Sequence, residues 1–206
     1  AGSYKWSSSE TTLPANETKK EFDKKPVLER FDRQLKISGL KTSHTLKPDF
    51  SWGCSNIDKL ISKYNLSDYI LLFPFCSEHL EQKRWPYYDQ LIKMIKQNHP
   101  SLKIVIAPGP SEIEKAKKLD AVSILKEDKA ISISELAGLI KKSKFVVAND
   151  TGPAHMAAHL NVKGLSLFGS HTTAHKVSIE RENFKAIQVN DLKNLSAEKV
   201  FERLVL

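Results

Sequence analysis

The sequence has few cysteines and no long hydrophobic run, which argues against a disulfide-rich protein and against a transmembrane protein. Its two cysteines, Cys54 and Cys76, are far apart and form no C-x-x-C pair, so nothing indicates a disulfide framework or a thiolate metal site. A reducing, cytoplasmic compartment is therefore expected. The apolar runs are far shorter than the ~20 residues of a transmembrane helix. The opening residues, AGSYKWSSSETTLPANETKK, contain no apolar segment of the kind found in secretory signals.

Several short catalytic and nucleotide-binding motifs are also missing. The sequence contains neither a Walker A motif nor G-x-G-x-x-G, so kinase and dehydrogenase functions have no support. It also lacks the G-x-S-x-G turn that carries the nucleophile of many hydrolases. No internal repeat and no coiled-coil heptad pattern is present.

Basic residues are abundant by comparison. Lys and Arg outnumber Asp and Glu by 32 to 24, which gives a formal net charge of +8. They are spread through predicted helices and loops, whereas a nucleic-acid-binding protein needs a concentrated stripe with interleaved aromatics. We therefore expect no nucleic-acid partner. The excess charge is explained either by a solvated lysine-rich surface or by attraction to an anion, such as a phosphate-bearing sugar or an anionic glycolipid.

Short apolar runs alternate with helical patterns along most of the chain. About six runs have the length and apolar content of buried strands, at residues 69–73, 102–107, 122–125, 145–148, 165–168 and 184–189. Around them, helices are expected over 26–40, from 55, from 85, and over 111–120, 132–140 and 196–206, with capping boxes beginning at Ser55 and Ser132. This alternation predicts an α/β fold with a doubly wound, Rossmann-like parallel sheet.

The stretch 145–169, FVVANDTGPAHMAAHLNVKGLSLFG, is the most informative part of the sequence. Its pattern of strand, turn, helix, turn and strand is that of a βαβ unit. Ligands of open parallel sheets bind beyond the carboxyl ends of the strands. A helix that begins there offers an anion unpaired N–H groups and a partial positive charge. The N-D-T-G-P turn is therefore a candidate anion-binding site.

The residues of this turn have separate expected roles. Gly152 allows a ligand to approach the backbone closely, and Pro153 suits the first turn of a helix, where its N–H is not needed. Asp150 would repel a phosphate that it faced, so we expect its carboxylate to turn back and cap the helix N–H groups. That arrangement leaves Thr151 and Gly152 facing the ligand, with His155 projecting toward the same side.

At these residues the sequence resembles a known family. The run N-D-T-G-P-A-H-M-A-A-H-L, followed by F-G-S-H-T, is similar to the signature of glycosyltransferase family 9, the ADP-heptose:lipopolysaccharide heptosyltransferases. The matching residues are Asn149, Asp150, Thr151, Gly152, His155, Phe168, Gly169 and Thr172. Two residues depart from the pattern: Ser170 replaces the family's usual proline, and His171 is an insertion or substitution.

The resemblance extends to two further loops. Residues 83–86, Lys-Arg-Trp-Pro, resemble a lysine–any residue–tryptophan motif whose lysine contacts the donor, although a surface loop with two solvated cations would have the same composition. Glu112 resembles a glutamate that holds the donor's ribose, and its alternative role is to favour the first turn of a helix. Phe75 stands where the family often has glycine. The resemblance implies a donor-binding set of Lys83, Glu112, Asp150, Thr151, Gly152 and His155.

We expect neither a metal nor a cofactor; the nucleotide sugar is the substrate. His155 and His159 have the i, i+4 spacing of a zinc-binding helix, but Met156 replaces the glutamate of a zincin and no third ligand is evident. No Asp-x-Asp pair occurs, whereas glycosyltransferases that hold a divalent metal usually carry one. A metal-independent transfer is therefore expected, with the leaving charge met by Lys83 and the N–H groups at Thr151–Gly152. Inversion at the anomeric carbon would follow from a single displacement.

The resembled family has the two-domain GT-B architecture, and this chain is similar to its C-terminal half. We interpret residues 1–50 as an arm, helix and linker that form the tail of a missing N-terminal domain. Residues 51–206 are interpreted as the nucleotide-sugar-binding Rossmann-like domain. No catalytic residue is assignable in this half, since the general base is expected in the N-terminal domain. The fragment alone is therefore expected to be inactive.

The function implied by the resemblance is transfer of heptose from ADP-heptose to a lipopolysaccharide core acceptor. The implied partners are a nucleotide-diphosphate sugar and lipopolysaccharide or another glycolipid. Peripheral membrane contact and a cytoplasmic location at the inner face of the inner membrane would follow. Two alternatives stay open: a non-catalytic nucleotide-binding module of the same fold, and a protein that resembles nucleotide-sugar epimerases.

Overall fold

The computed structural model describes residues 13–206. The first part of the predicted arm, with Tyr4 and Trp6, therefore lies outside the described residues. From residue 13 onward the chain forms a six-stranded sheet with helices packed on both faces. This arrangement confirms the α/β doubly wound fold that the alternation of apolar runs and helical patterns predicts.

All strands of the sheet are parallel. They are β1 (Tyr69–Phe73), β2 (Lys103–Ile106), β3 (Val122–Ser123), β4 (Phe145–Asn149), β5 (Gly164–Phe168) and β6 (Phe184–Gln188), in the order β3-β2-β1-β4-β5-β6. At the centre, Ile70 of β1 lies opposite Phe145 of β4, and Phe73 opposite Ala148. Every residue of these two strands is buried. Burial on both faces explains why their sequences are continuous apolar runs rather than alternating ones.

Eight α-helices accompany the sheet within the described residues. They are α1 (Lys19–Phe22), α2 (Val27–Ile37), α3 (Asp58–Tyr64), α4 (Tyr88–Asn98), α5 (Ile113–Ala116), α6 (Ile133–Lys142), α7 (Gly152–His159) and α8 (Ala197–Phe201). Short 3₁₀ segments occur at Ser51–Gly53, Glu78–Lys83 and Leu192–Asn194. None of the helices formed by residues 13–206 has both the length and the apolar character needed to cross a membrane.

The two faces of the sheet form separate hydrophobic cores. Leu71 of β1 belongs to one core, together with Leu139 of α6. Ile70, the preceding residue, belongs to the other, together with Leu91 of α4 and Val200 of α8. Successive side chains of a strand point to opposite faces, so each central strand contributes to both cores and holds the helices on either side in place.

The predicted capping boxes had different outcomes. The box at Ser132 is confirmed, because its Oγ accepts the N–H of Glu135 at 3.2 Å while Glu135 Oε2 accepts the N–H of Ser132 at 2.9 Å. The box at Ser55 is wrong. There the side chain of Asn56 accepts the N–H of Asp58 at 2.7 Å, so an Asn turn starts α3 instead.

Two elements near the sheet edge are shorter than predicted. The helix expected over 111–120 is limited to α5, and the chain then continues in tight turns, with the N–H of Leu119 bonded to the carbonyl of Ala116 at 3.0 Å. The strand expected over 122–125 is reduced to β3. β3 is an edge strand that pairs only with β2. The pairing ends here because the N–H of Leu125 bonds to the Tyr64 hydroxyl at 3.0 Å instead.

The strand order creates a crevice at the carboxyl edge of the sheet. The chain leaves β1 toward β2 and leaves β4 toward β5, on opposite sides of the β1–β4 pair. The connections from β1 and β4 therefore lead to opposite sides of this pair, and a crevice forms beyond the carboxyl ends of the strands. In open parallel sheets this reversal of strand order is where ligands bind.

Gly138 offers a test of how closely α6 packs. A Cβ at this position would lie 2.5 Å from the carbonyl oxygen of Ser55 and 2.9 Å from Ile57 Cγ2. Alanine favours helices over glycine by ~1 kcal/mol, but we expect the clash to dominate. Gly138→Ala should lower the free energy of unfolding by about 1–3 kcal/mol, measured by urea denaturation. Lys141→Ala, on the exposed side of the same helix, should change it by less than about 0.5 kcal/mol. A Gly138→Ala variant as stable as the parent would contradict this packing.

Candidate functional site

A buried asparagine ties the two central loops together. The side chain of Asn149, the last residue of β4, is fully buried, and its Oδ1 accepts the backbone N–H of Trp85 at 3.1 Å. Trp85 is itself 1% exposed and donates its indole N–H to the carbonyl of Leu195 at 2.7 Å. The tryptophan thus anchors the end of the loop that follows β1. Lys83, two residues earlier, is thereby directed toward the turn that follows β4.

The Asp150 carboxylate, in that turn, is the centre of a cluster of basic groups. Its Oδ2 lies 2.7 Å from Lys83 Nζ and 3.0 Å from His171 Nε2, and its Oδ1 lies 3.5 Å from His155 Nε2. The Asp150 side chain is only 5% exposed. Burial acts to raise the pKa of this carboxyl, but the hydrogen bonds from His155, Lys83 and His171 outweigh burial and hold the pKa well below its ordinary value. Asp150 is therefore ionised at neutral pH.

The expectation that Asp150 caps the following helix is wrong. Thr151 is the N-cap residue of α7, and no side chain caps the helix. The Thr151 hydroxyl instead donates to the carbonyl of Asn149 at 3.3 Å. Asp150 has turned toward the basic cluster because Lys83 and the two histidines satisfy its charge. The N–H of Ala154 bonds to the carbonyl of Thr151 at 3.0 Å and Pro153 has no N–H. The amides available at the start of α7 are therefore those of Thr151 and Gly152, and Gly152 is exposed.

A cavity of about 660 Å³ opens at this point. Its lining includes five of the six predicted donor-binding residues, namely Lys83, Glu112, Asp150, Thr151 and Gly152. Apolar side chains at the start of α6 complete the wall, among them Ile131, Ile133 and Leu136. A volume of this size, with a few polar groups on a largely apolar wall, is typical of a site for a ligand as large as a nucleotide.

Glu112 enters the cavity from the turn that follows β2. Its Oε2 accepts the backbone N–H of Gly109 at 2.8 Å, which fixes the carboxylate against the turn. Glu112 is also the N-cap residue of α5, although its side chain does not cap that helix, and Ser111 is exposed. The carboxylate therefore faces the same cavity as Lys83.

His155 lies at the margin of the site. It contacts Asp150 but does not line the cavity. Its ring stacks on that of His159, with centroids 6.5 Å apart and an interplanar angle of 25°. Burial, assisted by the nearby charge of Arg181, lowers the pKa of His159 to about 4. Within residues 13–206, no three His, Cys, Asp or Glu side chains are grouped so as to hold a metal ion.

Sequence reasoning missed the contribution of His171. Its side chain is 6% exposed, and its ring stacks on Phe168 at a centroid distance of 5.9 Å and an angle of 12°. The available signal was its departure from the family pattern in F-G-S-H-T. Phe75, another departure from the family pattern, is 7% exposed, and the Arg84 guanidinium lies 5.9 Å from its ring centroid.

Comparison with known proteins identifies the relatives of this chain. The sequence model of Glycosyltransferase family 9 (heptosyltransferase) matches residues 3–204. A curated relative, lipopolysaccharide heptosyltransferase 1 from Campylobacter coli, is 28% identical over 114 residues, which are 51% of this chain and 33% of that protein. The chain therefore spans about a third of the length of this relative.

Solved structures share the fold. E. coli heptosyltransferase WaaC with ADP superposes with a TM-score of 0.64 and 23% identity, over 84% of this chain and 54% of that one. UDP-GlcNAc 2-epimerase from Methanocaldococcus jannaschii gives a TM-score of 0.51 and 17% identity, over 86% and 52% of the two chains. The chain thus spans about half of each structure. The fold is that of the Rossmann-like C-terminal domain of GT-B heptosyltransferases, which confirms the fold class expected from sequence.

The lowered pKa of His159 predicts a specific pH dependence of stability. Between about pH 6.5 and 4 the unfolded chain binds a proton at this ring while the folded chain does not. Stability should therefore fall as the pH decreases through this window, whereas the contribution of Asp150 is lost only below its unfolded pKa of roughly 3.9. His159→Gln should flatten the fall, measured by urea denaturation at several pH values. His175→Gln, at an exposed position, is the control. An unchanged slope in His159→Gln would show that this ring titrates normally.

Proposed function

The chain belongs to glycosyltransferase family 9, and on this basis we propose that residues 51–206 bind the nucleotide-sugar donor of a heptosyltransferase. The proposed whole reaction is transfer of heptose from ADP-heptose to a lipopolysaccharide core acceptor. One observation carries the proposal: an uncapped helix N-terminus, a lysine and a fixed carboxylate line the same cavity at the sheet's strand-order reversal. The relatives' names supply the choice of heptose and of ADP.

The diphosphate is proposed to rest between the start of α7 and Lys83. The unpaired N–H of Gly152 and the partial positive charge of the helix end suit phosphate oxygens. Lys83 Nζ has three donors, so it can keep its 2.7 Å contact with Asp150 and still donate to a phosphate. Its side chain is 22% exposed and lines the cavity, which leaves it accessible to a ligand.

The remaining wall fits the nucleoside part of the donor. Glu112 presents a carboxylate oxygen that can accept hydrogen bonds from ribose hydroxyls, because the backbone of Gly109 already fixes its position. The apolar side chains at the start of α6 offer a surface for a nucleobase. His155 is proposed to help bind the donor together with Asp150, since the two side chains are in contact.

The proposed reaction is a single displacement without a metal. The acceptor hydroxyl forms a bond to the anomeric carbon as the bond to the diphosphate oxygen breaks, so the configuration inverts and the electron pair leaves with ADP. Lys83 and the N–H groups at the start of α7 stabilise that leaving charge, each charge-assisted hydrogen bond contributing about 1.5–3 kcal/mol. The hydroxyl proton goes to a general base outside residues 51–206.

We also propose a domain arrangement and a location for the whole protein. Residues 1–50 are proposed to be an arm and linker to an acceptor-binding domain, and the domain described here to be inactive alone. A lipopolysaccharide acceptor would place the enzyme in the cytoplasm, in peripheral contact with the inner face of the inner membrane. The competing interpretation is a non-catalytic nucleotide-binding module of the same fold. The epimerase interpretation rests on fold similarity alone and has weaker support than the family match.

Nucleotide preference distinguishes these interpretations. We expect ADP to raise the melting temperature more than UDP or GDP does, because a ligand that binds only the folded state stabilises it by mass action. At 100 times the dissociation constant the stabilisation is about 2.7 kcal/mol, or roughly 5–10 °C for a chain of this size. Thermal-shift measurement of the purified chain tests this. A larger shift with UDP would favour the epimerase-like interpretation, and no shift with any nucleotide would contradict the proposed site.

Lys83→Ala tests the position of the diphosphate. Loss of one charge-assisted contact should weaken ADP binding about 10- to 100-fold, measured by titration calorimetry. Lys93→Ala, which removes an exposed lysine from α4, should leave the affinity within about twofold and controls for the change in net charge. If Lys83→Ala binds ADP as tightly as the parent, Lys83 is not part of the donor site.

A further inference from the structure

One oxygen of Asp150 lies within hydrogen-bonding distance of two side chains, a lysine and a histidine. Lys83 Nζ lies 2.7 Å and His171 Nε2 lies 3.0 Å from the same Oδ2 atom. Lys83 has a long, flexible side chain that is 22% exposed in the cavity wall. The His171 side chain is 6% exposed and is held by its parallel stack on Phe168. The lysine can therefore also reach a ligand, whereas the histidine is fixed.

Any anion in the cavity meets the charge of Asp150. The carboxylate belongs to the same wall as Gly152, where the diphosphate is proposed to rest. Lys83 offsets that charge in the structure as it stands. Once the lysine donates to a phosphate, part of its charge is drawn away from Asp150, and the buried carboxylate and the diphosphate would repel each other. Asp150 then needs a second hydrogen-bond donor, and this group must not itself bind the ligand.

We propose that His171 is a positioning residue that holds the Asp150 carboxylate by a hydrogen bond while Lys83 engages the donor's diphosphate. The inference rests on the proposed function and adds to it a residue where this chain departs from the family pattern. The His171 ring makes its polar contact with Asp150, and its effect on the donor would pass through that carboxylate.

The surroundings of the ring support this role in the neutral form. His171 Nδ1 is buried and, among the described residues, has no hydrogen-bond partner. A proton there would be an unsatisfied buried donor, which is costly. The tautomer protonated at Nε2 avoids that cost and still donates to Asp150. The ring can therefore serve as a constant donor whether or not Lys83 has turned to the ligand.

A comparison of two substitutions tests the proposal. His171→Gln keeps an N–H donor, whereas His171→Leu has similar bulk and none. Their affinities for ADP and for adenosine are measured by titration calorimetry on the intact chain. We expect His171→Leu to lose roughly tenfold in ADP affinity, since one hydrogen bond to a charged group is removed, and less than about twofold in adenosine affinity. His171→Gln should bind both within about threefold of the parent.

The calorimetric results distinguish failure of the proposed function from failure of the His171 proposal. A parent chain that does not bind ADP overturns the proposed function and this inference with it. A parent that binds ADP, with His171→Leu weakened equally toward ADP and adenosine, overturns the inference alone, because a merely structural role affects both ligands. The same holds if His171→Gln does not rescue the ADP affinity.

A measurement on the unchanged protein covers the case in which His171→Leu fails to fold. The ¹⁵N NMR signals of the His171 ring should show a proton on Nε2 and none on Nδ1, both before and after saturation with ADP. A ring that carries its proton on Nδ1 in either state, or that loses the Nε2 proton when ADP binds, overturns the proposal.

Discussion

The buried carboxylate of Asp150 joins parts of the chain that are distant in sequence. Lys83 reaches it from the loop after β1, His171 from the loop after β5, and His155 from α7. An ionised group that is 5% exposed persists only if it is paired and hydrogen-bonded. The loops at the carboxyl edge therefore depend on this contact set for their relative positions. Asn149, one residue earlier, adds the bond that anchors the Trp85 loop.

The same contact set explains how an acidic residue can lie beside a proposed anion site. Lys83 pairs with the charge of Asp150, and two histidines contact the same carboxylate, so its oxygens have partners before any ligand enters. Because the carboxylate is occupied there, it does not cap α7, and the amides of Thr151 and Gly152 stay available for a ligand. The basic cluster thus orients Lys83 and, at the same time, leaves the helix end open.

The fold could be predicted from the sequence, but part of the site could not. The apolar runs of β1, β4 and β5 identify these strands because burial on both faces demands largely apolar residues. The Ser132 box is a local signal that predicts the start of α6. The role of Asp150 depends on Lys83, 67 positions away, and on His171, 21 positions away. Local patterns therefore suggested a helix cap where a long-range ion pair forms. His171 itself lies in a turn whose sequence differs from the family pattern, and only the folded structure reveals its partner.

The location of a bound diphosphate is open to direct observation. Two-dimensional ¹H–¹⁵N NMR of the labelled chain, titrated with ADP and separately with adenosine, reports on each backbone amide. If the diphosphate rests on the start of α7, the amides of Thr151 and Gly152 should shift strongly with ADP and little with adenosine, because only ADP carries the anion that these groups bind. Saturation with ADP that leaves both amides unchanged would contradict this placement.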